Sequence, residues 1–325
     1  MSKPRRKADR DDDLTRFGDL FEPQEAAEPI LSPGTRAALT EWLTEIWAET
    51  ELREIGIGPR KRAIFDGPPG VGKTTLAHHL SARLGLPMLA VRPESIISKY
   101  VGETGANIGA LFTLAQSEEE PIVLFIDEFD ALSRQRRKGE QVSDDHRNEE
   151  VNTLLQRIEQ HKGFLIAATN FADHIDKAIW RRFDLHLTLD LPGPREREHI
   201  VARYLAPFGL PTAALAALAE SLETASPALI RALCENLKRQ IIIGPKLGSD
   251  MRRDAVFERL LASIHPHPDL GKPRLWSLGA RDPGLRAVPW PLPRADAIAA
   301  DAPADGGEEL RLAPGAKVVT LGAKR

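Results

Sequence analysis

The sequence predicts an α/β fold: a parallel sheet sandwiched by helices, followed by a small all-helical domain. Three observations carry that prediction. A glycine-rich run, Gly67-Pro68-Pro69-Gly70-Val71-Gly72-Lys73-Thr74, sits between an apolar segment and a helix-forming one. Strand-like apolar runs then alternate with helical patterns as far as residue 189, the order of parallel strands joined by crossover helices. After Pro192-Gly193-Pro194 the strand-like runs stop and only helical periodicity continues.

Taken in order, residues 1–15 are rich in charge (Arg5, Arg6, Lys7, Arg10, Asp11, Asp12 and Asp13 among them). They are too polar to bury anything, and segment 1–30 is expected to be disordered. Leu39, Leu43, Ile46, Trp47 and Leu52 then recur at helical spacing behind a Ser32-Pro33 start signal, which predicts one helix over 35–54. Strands are expected at 63–65, 88–91, 122–126, 164–168 and 185–189, which completes an α/β domain over 31–192. Helices are expected at 195–205, 211–223, 228–243 and 250–264, which makes 193–264 a separate helical domain. From residue 265 prolines multiply, and 265–325 is expected to be a Pro-rich, extended or disordered tail. Trp276 and Trp290 are its possible docking points, and 316–321 a possible short strand.

Composition narrows the class. The chain has 325 residues, 42% hydrophobic and 28% charged, a soluble globular balance with ample material for a core. A formal charge of −3 gives no general reason to expect nucleic acid. The single cysteine, Cys234, excludes an intramolecular disulfide and a cysteine metal cluster, and its helical setting suggests a packed thiol. No apolar run approaches the roughly eighteen residues of a membrane span. The basic N-terminus lacks the apolar stretch of a signal peptide, so a cytoplasmic protein is expected.

The chemistry concentrates at the ends of expected strands. The run from Gly67 to Thr74 fills the G-x-x-x-x-G-K-[ST] pattern. A glycine turn opening a helix aims several backbone N–H groups at one point, where the helix dipole adds positive potential. Gly67, Pro68, Pro69, Gly70, Val71, Gly72, Lys73, Thr74 and Thr75 are therefore the candidate triphosphate contacts, with Lys73 on the β- and γ-phosphates and Thr74 on Mg²⁺. Asp127 and Glu128 end a wholly apolar strand. Asp127 can hold the Mg²⁺ shell and Glu128 can activate a water, although an acidic helix cap would look the same. Asn170 ends the next strand, where its amide could orient that water or merely make a turn. Arg181 and Arg182 are either a solvated corner or cations for a neighbouring subunit's nucleotide, a contact worth about 10³–10⁵ in rate.

Together these residues resemble the AAA+ family of ATPases over about residues 55–264. Gly67 to Thr74 matches its Walker A, Asp127-Glu128 its Walker B, and Asn170 its sensor 1. The helical domain after Pro194 matches its lid. Arg181 and Arg182 fall where the spastin, katanin and Vps4-like branch carries paired arginine fingers. The resemblance implies ATP and Mg²⁺ as ligands, ATP hydrolysis between subunits, and a homo-oligomeric ring of six.

Tyr100, Val101 and Gly102, within Ser98-Lys99-Tyr100-Val101-Gly102-Glu103-Thr104, resemble the substrate pore loop of protein-translocating members. An aromatic on a mobile loop can grip any polypeptide through apolar contact, so the expected partner is a protein substrate to be remodelled, unfolded or translocated. Gly105 departs from the pattern and is expected to loosen the start of the following helix. Residues 134–147 occupy the place of a second pore loop, with acidic residues offsetting the basic ones. Arg231 is the nearest candidate for a sensor-2 arginine, a residue that branch frequently lacks. Two other functions stay open: a DNA-associated motor or loader, and a nucleotide-dependent regulatory switch.

Overall fold

The computed structural model describes residues 7–98, 100, 102–116, 121–133 and 144–298. Six strands form one sheet: β1 (Gly18–Phe21), β2 (Arg62–Asp66), β3 (Met88–Val91), β4 (Val123–Ile126), β5 (Phe164–Thr169) and β6 (Leu185–Thr188). Their order is β1-β3-β4-β5-β2-β6. The five expected strands are all parallel, and β1 adds an antiparallel edge against β3. Parallel strands need crossovers, and these are supplied by α4 (Lys73–Leu84), α5 (Glu103–Ala115), α6 (Asp130–Ser133) with α7 (Asp144–Gln160), and α8 (Lys177–Trp180). Ahead of β2 stand α1 (Lys7–Thr15), α2 (Pro33–Trp47) and α3 (Glu49–Glu54).

Strand residues alternate between two apolar layers, as the two-residue period of a strand requires. Ile64, Leu124, Ile126, Leu165 and Ala167 face Ile108, Phe112 and Ile158 of α5 and α7. Ala63, Phe65, Val123, Phe125 and Ile166 face Trp42 and Leu43 of α2 and Leu76 and Leu80 of α4. Helices thus cover both faces, and both ends of the central strands are left for chemistry. The single helix expected over 35–54 is broken at Ala48 into α2 and α3. Its start signal holds, with the Ser32 hydroxyl accepting from Thr35 N at 3.2 Å.

Two expectations of disorder fail over the described residues; residues 1–6 lie outside them. Within 1–30, Leu14 and Phe17 are buried in the layer shared with α5, and Gly18 lies so close to β3 that a Cβ would meet Ala90 O at 1.9 Å. Two apolar residues behind a run of charge are enough to seat α1 and β1 on the sheet. Ile30 and Leu31 then pack on the helical domain and the α/β domain respectively.

The helical domain contains α9 (Pro194–Leu205), α10 (Thr212–Glu220), α11 (Pro227–Ile243) and α12 (Arg253–Ser263) as expected. It does not end at residue 264. Two short helices, α13 (Arg274–Leu278) and α14 (Pro283–Ala287), follow, and Leu275, Leu285, Val288 and Leu292 are buried in the same core. The Trp276 indole donates to Ile264 O and the Trp290 indole to Met251 O, each at 2.7 Å. Fully buried Asp282 accepts from the Ser221 hydroxyl and from Gly284 N, and ion-pairs with Arg274. The tail expected from 265 onward is therefore folded as far as the described residues reach. The expected strand at 316–321 lies outside them.

Candidate functional site

The glycine-rich loop is built by close approach. Gly67, at φ 148°, stands where a Cβ would meet Leu189 O at 2.2 Å. Gly70, at φ 77°, stands where one would meet the Ala228 Cβ at 2.9 Å. Both positions exclude a side chain, and Gly70 φ also lies in the left-handed region that glycine tolerates. The α4 N-terminus that follows has neither a side-chain cap nor an acidic residue in its first turn. Its leading N–H groups are therefore directed at whatever the loop encloses, the arrangement that binds anions.

Lys73 is buried to 7% exposure and folds back across its own loop. Its Nζ donates to Gly67 O at 2.6 Å, Pro68 O at 2.9 Å and Asn170 Oδ1 at 2.7 Å. Burial pushes its pKa down, while the carboxylates of Asp127, Asp66 and Asp130 pull the other way. The bond to Lys73 fixes the amide of Asn170, leaving its nitrogen without a hydrogen-bond partner among the described residues. The Thr74 hydroxyl donates to Asp127 Oδ2 at 2.8 Å, and Asp127 Oδ1 accepts from Glu128 N at 2.9 Å. A hydroxyl and a carboxylate held together beside an anion cradle are hard oxygen donors suited to Mg²⁺. The residues present fit a triphosphate with its cation.

Glu128 is exposed, and its backbone adopts φ 46°, the one positive φ at a non-glycine residue among those described. Such a conformation costs of order 1–3 kcal/mol and is held only where the surroundings dictate it. The surroundings here are two hydrogen bonds flanking the residue: Asp127 holds its amide, and Phe129 N donates to Ala168 O at 2.8 Å.

The structure brings together the loop, Lys73, Thr74, Asp127, Glu128 and Asn170. It does not bring Arg181 and Arg182 to them. The arginines lie on the turn between α8 and β6, at the amino edge of the sheet. Their neighbour Asp184 pairs with Arg62, the first residue of β2, through two bonds at 2.9 and 3.0 Å, whereas the loop follows the last residue of β2. Arg182 ion-pairs with Glu159, and Arg181 is exposed without a partner among the described residues.

Tyr100 is 73% exposed. Its amide donates to the Ser98 hydroxyl, which itself donates to Glu103. Gly102, at φ 82°, opens α5. That helix runs unbroken through Gly105, so the loosening expected of this glycine is not seen. Val101 lies outside the described residues, as do 134–143 of the expected second pore loop; residues 144–147 begin α7. Arg231 pairs with Glu235 at 2.7 Å and lies over the Tyr204 ring. Ala228 of the helical domain does reach the loop, its amide donating to Gly70 O at 3.1 Å, and Ser226 lies beside it.

Four contributors were not singled out from the sequence. Asp130 is buried and accepts from the Thr169 hydroxyl at 2.9 Å, and that hydroxyl accepts from Phe171 N. These two bonds hold the chain on either side of Asn170. Asp66 accepts from Thr188 beside the loop. Glu159 holds Arg182 from α7. Buried Arg197 ties the interdomain connection to the helical domain, donating to Pro192 O and Ala219 O. Only Asp130 had a legible hint, as a third carboxylate three residues after Asp127.

Comparison with known proteins agrees with this geometry. Residues 63–191 match the model of the ATPase family associated with various cellular activities (AAA), a span that holds the loop, Asp127, Glu128, Asn170 and both arginines. Those residues are thus similar to an AAA-family ATPase domain. The chain is 42% identical over 179 residues to an uncharacterized AAA family ATPase, y4kL, of Sinorhizobium fredii, covering 54% of this chain and 53% of that protein. It is 34% identical over 173 residues to the ATP-dependent zinc metalloprotease FtsH 1 of Symbiobacterium thermophilum, covering 51% of this chain and 29% of that protein. The chain thus spans about half of the first relative and under a third of the second. The fold is that of the FIGL-1 AAA domain, solved in complex with ADP. The TM-score is 0.61 at 22% identity, over 82% of this chain and 93% of that one. The helical domain that follows the matched residues extends to Leu292.

Proposed function

We propose that the protein hydrolyses ATP at the interface between two copies of itself and uses the cycle to act on a protein substrate. The observation that carries this reading is the joint placement of Lys73, Asn170, Thr74 and Asp127 around a loop that admits no side chain at Gly67 or Gly70. Within that site Lys73 and the α4 N–H groups bind the phosphates. Glu128 takes the proton of the attacking water, and the Asn170 amide orients it. Mg²⁺, held by Thr74 and Asp127, would neutralise charge on the phosphate oxygens. Arg181 and Arg182, at the opposite sheet edge, supply cationic charge to the nucleotide of the adjacent copy. Each copy then gives one face and receives the other, a head-to-tail contact that closes into a ring; six is the number the AAA+ resemblance implies. The exposed Tyr100 side chain, two residues before the glycine that opens a helix, supports a grip on polypeptide, as in the spastin- and katanin-like branch.

The test is subunit mixing. Arg182→Ala and Lys73→Ala chains, each inactive alone, recover ATPase activity when combined, because an intact arginine turn can meet an intact loop at some interfaces. Mixed assemblies that form but remain inactive would refute action across the interface.

A further inference from the structure

Glu128 stands at the carboxyl edge of the sheet, and Arg181 and Arg182 at the amino edge. One side-chain contact crosses the sheet face between the residues that follow each of them. Phe129 follows Glu128, Phe183 follows Arg182, and their rings meet edge to face at 5.5 Å and 90°. Both are buried, at 0% and 3% exposure, in the layer that also holds Ile175 and Ile179.

We propose that the Phe129–Phe183 pair is a strut that sets the position of the two arginines according to the state of the chain's own Glu128. It thereby links hydrolysis at one nucleotide to hydrolysis at the next. The proposal rests on the interface reading above.

The contacts at each end give the strut its direction. Glu128 is the strained point, and with the Phe129 amide fixed on Ala168 O, a change at Glu128 turns the Phe129 ring. At the far end Asp184 is fixed by its paired bonds to Arg62 and by its own amide on Arg62 O at 2.9 Å. A push on Phe183 therefore cannot pass into β6 and is taken up by Arg182 and Arg181. Cores respond to such pushes by small discrete shifts, because they are close-packed. Displacing a charge-stabilising group by about 1 Å can cost a hundredfold in rate. Phe129 and Phe183 are positioning residues on this account and touch neither substrate.

The experiment measures, on the full chain, nucleotide affinity with a fluorescent ATP analogue, kcat, the sigmoidality of rate against ATP, and Tm. Phe183→Leu and Phe129→Leu keep ring contacts from forming without emptying the core; Phe183→Met serves if Phe183→Leu does not fold. Each variant is expected to bind nucleotide as the parent does, lose about 10- to 100-fold in kcat, and lose sigmoidality. The double variant should be no worse than either single one, since the two residues act as one contact. A folded variant with parental kcat and sigmoidality, or a double variant whose losses multiply, overturns the strut. Recovery in the Arg182→Ala and Lys73→Ala mixture alongside such a result would fault the strut alone. Absence of recovery would fault the interface reading beneath it.

Discussion

The two edges of the sheet are built on opposite plans. At the carboxyl edge, exposed Glu128 apart, the chemical groups are partnered within the chain: Lys73 with three acceptors including Asn170, Thr74 with Asp127, and Asp130 with Thr169. At the amino edge Arg181 is exposed and unpartnered among the described residues, and Arg182 has only the half-exposed Glu159. A group that must hold a small ligand benefits from a fixed position. A group that must reach another molecule has to remain accessible. On the function proposed above, the contrast is that of a binding site complete within one chain and a catalytic one that a second copy finishes.

Substitutions at the two edges should therefore fail in different ways. Lys73→Ala is expected to abolish nucleotide binding. Arg182→Ala should leave affinity intact while kcat falls about 10³–10⁵-fold, the range for such arginines. Isothermal titration and steady-state kinetics separate the two. An Arg182→Ala chain that fails to bind ATP would erase the distinction between the edges.

Next in size is Glu128→Gln, which should retain ATP binding while turnover falls about 10²–10⁴-fold, the usual worth of a general base. Single-turnover rates with bound ATP check it. Unchanged turnover would move the base to another group and leave the strained backbone at Glu128 without a catalytic reason.

The carboxyl edge was legible in the sequence because its signals are local. Gly67 to Thr74 and the strand ending in Asp127-Glu128 fix their chemistry by short spacing, and the strand-helix alternation fixes their edge of the sheet. What was missed depends on contacts distant along the chain. Glu159 meets Arg182 only once α7 and α8 lie on the same face. Ala228, rather than Arg231, reaches Gly70 only once the helical domain has packed against the loop. Leu14 and Phe17 were hidden behind Asp11, Asp12 and Asp13, two apolar residues being too few to set a period. In α13 and α14, five residues each, the helices are too short for 3.6-residue periodicity to show among the prolines. Leu275, Leu285 and Val288 consequently looked like tail.

The smallest expected effect belongs to the amino edge and to pH. His161 lies just before β5, two residues beyond Glu159, at 6% exposure, edge-to-face with Phe112 at 5.5 Å. Burial, aided by the charge of Arg62, pushes its pKa down from 6.5 to about 4. Between those values the unfolded chain binds a proton at this site that the folded chain refuses. Stability is therefore fully present above pH 6.5 and is lost as pH falls towards 4, by up to about 3 kcal/mol. His79, buried on α4 and likewise shifted down, adds a loss of the same sign from the other layer. His161→Phe keeps a ring against Phe112 and removes the titration. Urea unfolding between pH 7 and pH 4 should then show a shallower decline than the parent chain, with the remaining slope reduced further by His79→Phe. If His161→Phe leaves the decline unchanged, the imidazole is protonated within the fold, and the amino edge is open to water where the structure has it packed.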